Sequence, residues 1–105
     1  LAPEYNGSIP PVLTNVIAWL SSVSDDFRAI FNGKLVALGT HSGGHGQKVL
    51  MAMRVQLGHL GCHVVGRDLQ TNSKKPLRDE SISAILTELV RYQPQLSVVS
   101  HPEAD

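Results

Sequence analysis

Two short segments hold most of the residues that could do chemistry. The first, Pro3-Glu4-Tyr5-Asn6-Gly7-Ser8, offers a carboxylate, a phenol, a carboxamide and a hydroxyl almost side by side. The second, Thr40-His41-Ser42-Gly43-Gly44-His45-Gly46, sets two imidazoles and a serine among glycines, after an apolar run and before a helical pattern. A serine in a turn between strand and helix suggests a nucleophile elbow, with His63 or His101 as its base. That motif needs Gly-x-Ser-x-Gly, and Thr40 stands where its first glycine belongs. His41 and His45 are four residues apart, but on a glycine-rich turn they need not share a face. No third residue has the spacing of a metal ligand, so loop hydrogen bonding or substrate contact is the better reading. His59 and His63 flank Gly61 and read as structural. Glu4 offers a general acid; a hydrogen bond that fixes its loop is the simpler expectation.

The elements that must position these segments follow from the apolar spacing. Leu13, Val16, Ile17 and Leu20 fall on one face of a helix, with Ser8 as its cap and Pro10-Pro11 in its first turn. Val12 and Trp19 widen that surface, which predicts burial on two sides. Phe27, Ile30 and Phe31 are expected to pack down onto the core. Leu35 to Leu38, ending at Gly39, is a short apolar run of the kind found in covered parallel strands. After the glycine-rich turn, Leu50, Met53, Leu57 and Leu60 point one way along a second helix, and Gly61 suits a left-handed C-terminal cap. Cys62 to Val65 makes another strand, 68–79 a polar loop, and Ile82, Ile85, Leu86, Leu89 and Val90 a last helix, capped near Asp79 or Ser81 and ending before Pro94. Residues 100–105 read as a frayed tail. The order is helix, strand, helix, strand, helix. Two parallel strands are too few for an independent sheet, so the chain is expected to be incomplete or completed by a partner.

Bulk properties narrow the function classes. The 105 residues suit one small domain, and nine basic against nine acidic residues give no field for nucleic acid or an anionic membrane. Lys74, Lys75 and Arg78 are too few for a binding tract and read as a solvated loop. Cys62 is the one cysteine; it opens an apolar run, reads as core, and fits a reducing cytoplasm. No apolar stretch approaches the ~20 residues of a membrane span. The chain begins at Leu1 with its chemistry-bearing loop almost at once, which predicts a segment upstream.

Pro3 to Pro10, followed by Leu13, Asn15 and Trp19-Leu20-Ser21, closely resembles the signature of NAD(P)H-dependent FMN reductases, a family that includes quinone, azo-dye and chromate reductases. Thr40 to Gly46 resembles that family's other flavin loop: its glycines would let backbone amides approach a planar ligand, and the helix start adds donors. Pro11, Thr14, Ala18 and Gln47 depart from the usual pattern without removing a flavin contact.

The resemblance implies an α/β, flavodoxin-like, three-layer parallel sheet, of which residues 1–99 would supply the C-terminal part: strands four and five, with Leu1-Ala2 the stub of strand three. It implies FMN as cofactor, NADPH or NADH as electron donor, and an acceptor such as free flavin or quinone. By resemblance, Pro3, Glu4, Tyr5, Asn6, Gly7 and Ser8 line the isoalloxazine, and Ser42, Gly43 and Gly44 contact its pyrimidine end; no protein acid or base is required. The family's phosphate-binding turn, bearing serine and arginine, has no counterpart here, so catalysis by these residues alone is expected to be impaired. The alternative is a non-catalytic oligomerisation module, because the helix after the Tyr5-Asn6 loop commonly builds homo-oligomers in this family. An N-terminal half on another chain would be the other partner.

Overall fold

Short apolar runs separated by helical periods give alternating strands and helices. The computed structural model describes residues 1–99, with backbone alone for 94–99. The order is α1 (Pro11–Ser21), β1 (Leu35–Val36), β2 (Gly39–His41), α2 (Gln47–His59), β3 (His63–Val64), β4 (Leu69–Thr71) and α3 (Asp79–Val99). It is a small α/β structure with three helices and short parallel strands. Among the described residues no helix is long and apolar enough to cross a membrane. The expected tail, 100–105, lies outside the described residues.

The strand expected over Leu35–Leu38 is instead two pairings that follow one another. β1 runs parallel to β3, Leu35 opposite His63; β2 runs parallel to β4, Gly39 opposite Leu69. The register offset therefore grows from 28 to 30 residues, so two extra residues bulge out between Val64 and Leu69. The backbone stays tied across the bulge, Val65 N–H to Val36 O at 2.8 Å and Leu69 N–H to Leu38 O at 2.9 Å. A strand thus occupies the start of the expected 68–79 loop. Leu69-Gln70-Thr71 is too polar to announce itself, and its pairing with Thr40 and His41 is what extends it. On the opposite edge of β2, Ala2 N–H donates to Gly39 O at 3.2 Å.

Helices cover both faces of these strands. Val36 packs into the cluster of Ala2, Leu38, Val49, Leu50 and Met53, where Val49 is wholly enclosed. Ala37, the next residue and so on the opposite face, lines a cavity with Ile82, Ile85 and Leu86 of α3. The inward set expected of α2 is the observed one: Leu50, Met53 and Leu60 are buried, and Leu57 packs against the cluster.

α1 differs from expectation. Pro11 does open it, but its N-cap is Pro10, and no side chain caps it. Ser8 is engaged elsewhere, its N–H and C=O both bonded to Tyr5. Only Ile17 is buried and only Leu13 joins the core; Val12 is 72% and Trp19 70% exposed, so the helix is not covered on two sides. Phe31 is half-buried, whereas Phe27 and Ile30 remain exposed, and Phe27 stacks on His59 with ring centroids 5.8 Å apart. α3 begins at Asp79 and continues through Pro94 rather than ending before it. Proline's fixed φ is itself helical; what it costs a helix is one lost donor and the crowding of its ring against the carbonyl four residues earlier.

Gly61 closes α2 at φ +96°, the positive value expected of it, and its N–H and C=O are used by Gly58 and Gly33. A Cβ there would overlap the Asn32 side chain and lie 3.1 Å from Asn32 Cα. Gly58, within α2, has nothing within 4 Å of such a Cβ. Gly61→Ala should therefore lower unfolding free energy in urea by roughly 2 kcal/mol or more. Gly58→Ala should raise it by about 0.5–1 kcal/mol, since alanine loses less backbone entropy in a helix.

Candidate functional site: two loops joined through Glu4

Asn6-Gly7 between residues of extended type is a strong local turn signal, because both residues tolerate positive φ. Here they have φ 49° and 77°, and Tyr5 and Ser8 exchange N–H to C=O bonds of 2.9 Å in both directions. This is the pairing of a two-residue, type I′-like turn. It leaves Tyr5, Asn6 and Ser8 exposed at its tip, with Pro3 exposed beside it.

The second loop leaves β2 at His41 and enters α2 at Gln47. Its N-cap, Gly46, has no side chain with which to satisfy the first amides of α2. Glu4 supplies the acceptor from the other loop: its Oε1 takes the Val49 N–H at 3.0 Å. The same residue donates its own N–H to Ser42 Oγ at 3.1 Å, and Ser42 Oγ lies 2.9 Å from Thr40 Oγ1. Thr40 is buried. A carboxylate at this helix end is also favoured by the partial positive charge there. The loop-fixing bond expected of Glu4 thus has a definite partner.

The far side of the second loop is tied to β4. Ser42 N–H donates to Thr71 O at 3.1 Å, His41 Nδ1 lies 2.7 Å from Thr71 Oγ1, and Asn72 Nδ2 donates to Gly44 O at 3.0 Å. Thr71 and Asn72 were invisible to sequence reasoning, because nothing local marks β4 as a strand. Between these ties, the backbone N–H groups of Gly43, Gly44 and His45 have no acceptor among the described residues and stand at the surface. The arrangement can therefore present a short row of unpaired amide donors beside the Tyr5–Ser8 turn.

Other chemistries lose ground. Ser42 Oγ is held by Thr40 and Glu4, and His63 pairs at the opposite end of the strand. Seven residues at ~3.3 Å each put roughly 20 Å between Ser42 and that end, too far for a base. His101 lies outside the described residues. Among the described residues no three His, Cys, Asp or Glu side chains gather as for a metal. Cys62 is buried at 8% exposure, as expected of a core cysteine, and its Sγ approaches Phe31 O at 3.4 Å. Burial pushes its thiol above its ordinary pKa, and the Lys34 charge pulls part of that back.

The family model for NADPH-dependent FMN reductase matches residues 1–75, which include both loops and all four strands. The chain belongs to that family. α3 lies beyond the matched region. No curated protein matches the chain. Membership of the family supports an NAD(P)H-dependent FMN reductase type of function, with FMN and a nicotinamide as the small molecules concerned.

Replacing Glu4 separates its acceptor role from its charge. Glu4→Ala should cost about 1 kcal/mol in urea unfolding, the usual worth of a helix cap, and should speed hydrogen exchange at the Val49 amide. Glu4→Gln, which keeps a carbonyl oxygen, should retain most of both.

Proposed function

We propose that the chain contributes the flavin-ring side of an FMN reductase site, in which hydride passes from NADPH or NADH to FMN and on to an acceptor such as free flavin or quinone. One observation carries this reading: Glu4 bonds both loops together while the N–H groups of Gly43, Gly44 and His45 stay free. Bound flavin would supply the hydride chemistry, as cofactors do, and the chain would bind and orient it. The exposed tip of Tyr5, Asn6 and Ser8 fits one side of a planar ring, with Pro3 and Gly7 shaping the turn beneath it. The Gly43 and Gly44 amides fit the polar pyrimidine edge, the Ser42 amide being already given to Thr71 O. Fixed donors at that edge favour negative charge as it develops, at no cost of reorganisation. Ser42 itself is positioned by its bonds to Glu4 and Thr40, which aims the loop. On this reading β1–β2 and β3–β4 correspond to the family's strands four and five, and Leu1-Ala2 to the end of strand three. No turn among these residues matches the family's phosphate-binding turn, so the flavin phosphate contributes little to binding here.

The test is a titration of the isotope-labelled chain with FMN and, separately, with riboflavin, followed by amide chemical shifts and flavin fluorescence. At Tyr5 to Ser8 and Ser42 to His45 both should bind weakly, with affinities within about threefold of one another, a difference far below one charge-assisted bond. Tight FMN binding at these loops, or riboflavin shifts centred elsewhere, would overturn the proposal.

A second reading, an oligomerisation module, is favoured by α1. Val12, Val16 and Trp19 recur at helical spacing and are all exposed, next to an open apolar groove of about 610 Å³ lined in part by Leu1, Pro11 and Val12. It predicts a homo-oligomer by sedimentation equilibrium that Trp19→Glu converts to monomer. A wild-type chain that sediments as a monomer at all concentrations would exclude it.

A further inference from the structure

Three cations from one polar stretch of the chain, residues 67–78, line one cavity. It measures about 190 Å³ and lies between β4 and the segment that returns from β4 to α3. Arg67 comes from the bulge before β4, Lys75 from the turn after it, and Arg78 from the residue before α3. The acid in the same lining, Asp68, is already engaged. Its carboxylate pairs with the Arg54 guanidinium at 2.5 Å, the single ion pair among the described residues. Arg67, Lys75 and Arg78 line the cavity without a carboxylate partner among the described residues. Asp79 and Glu80 stand in the first turn of α3, but neither lines it.

Neutral donors add to the cations. Arg78 O accepts the N–H of Ser81 at 3.1 Å and of Ile82 at 3.3 Å, so the amides of Asp79 and Glu80 precede the first helical bonds and have no acceptor among the described residues. Gln70 also lines the cavity. The turn that presents Lys75 is built in advance. Asn72 Oδ1 accepts the N–H of Lys74 and of Lys75, both at 2.8 Å, and Asn72 and Lys75 also exchange backbone bonds of 3.1 and 3.2 Å. Such preorganisation lowers the entropic cost of closing on a ligand.

Many donors, three positive charges and no free acceptor acid suit a compact anion with several oxygens and more than one charge. We propose that this cavity is a seat for a phosphoryl group, either free or carried on a nucleotide. The seat is separate from the flavin loops and does not need them to bind flavin, although Thr71 on its wall also holds Ser42 N–H.

The test is an amide-shift titration of the labelled chain at about pH 7.5, above the second ionisation of a phosphomonoester near ~6. Inorganic phosphate, 2′-AMP, 5′-AMP and adenosine are compared at constant ionic strength set with chloride. Saturable shifts at Thr71, Lys75, Asp79 and Glu80 with phosphate or either nucleotide, and none with adenosine, are expected. A nucleotide that binds ten times tighter than inorganic phosphate, by whatever contacts, marks the nucleotide as the source; equal affinity marks the free ion. The double variant Lys75→Ala, Arg78→Ala, altered at two exposed side chains, should weaken binding at least about tenfold. Wild-type chain that shows no saturable shifts, or shifts confined to Gly43–Lys48, would overturn the proposal whatever the flavin titration gives, and so would an affinity unchanged in a folded double variant.

Discussion

The Glu4 carboxylate accepting the Val49 N–H ties the first loop to the start of α2, 45 residues away in the chain, and the arrangement of the site depends on it. α2 begins at a glycine, so its own N-cap cannot satisfy the first amides. An acceptor must come from elsewhere, and a carboxylate is the favoured one at the positive end of a helix. Because Glu4 reaches that amide, its backbone lies within reach of Ser42, and its N–H completes the Ser42–Thr40 pair. The seat nearest the helix is thereby filled by the protein itself. What stays open is the row of loop amides from Gly43 to His45, whose neighbours are the Tyr5–Ser8 turn on one side and the end of β4 on the other.

The bulge between β3 and β4 has consequences of its own. A strand continuing in one register would bring Arg67 and Asp68 into the ladder, opposite Gly39 and its neighbours. Two additional residues release them, and Asp68 turns to Arg54 of α2 while Arg67 remains beside the cavity at α3. The same shift sets Leu69 to Thr71 against Gly39 to His41, which carries the ladder to the edge of the second loop. Bulges that end a pairing and re-aim side chains are frequent next to functional sites. Here one bulge serves both the flavin-loop edge and the basic cavity.

The apolar surface is distributed unevenly. α2 buries its expected stripe on the strands, whereas α1 is anchored by little more than Ile17 and Leu13. Its Val12, Val16 and Trp19 contribute apolar area that the chain itself leaves uncovered. A helical period in the sequence reports that a face is apolar; it carries no information on whether the covering surface belongs to the same chain. For that reason burial of α1 on two sides was the expectation least well served by periodicity alone.

Features decided by neighbouring residues were legible in the sequence. Asn6-Gly7 makes its turn, Gly61 ends α2 at positive φ, Cys62 is buried, and the spacing of Leu50, Met53 and Leu57 points them at the core, because each depends on local backbone preference or on a single period. The two loop signatures were enough to indicate the family. Tertiary structure alone decided the partner of Glu4, the existence of β4, the exposure of Trp19 and the meeting of Arg67 with Lys75 and Arg78. The first two join residues far apart in the chain, the third depends on what the rest of the fold leaves uncovered, and the last on the route of a polar connection. None leaves a periodic trace in the residues concerned.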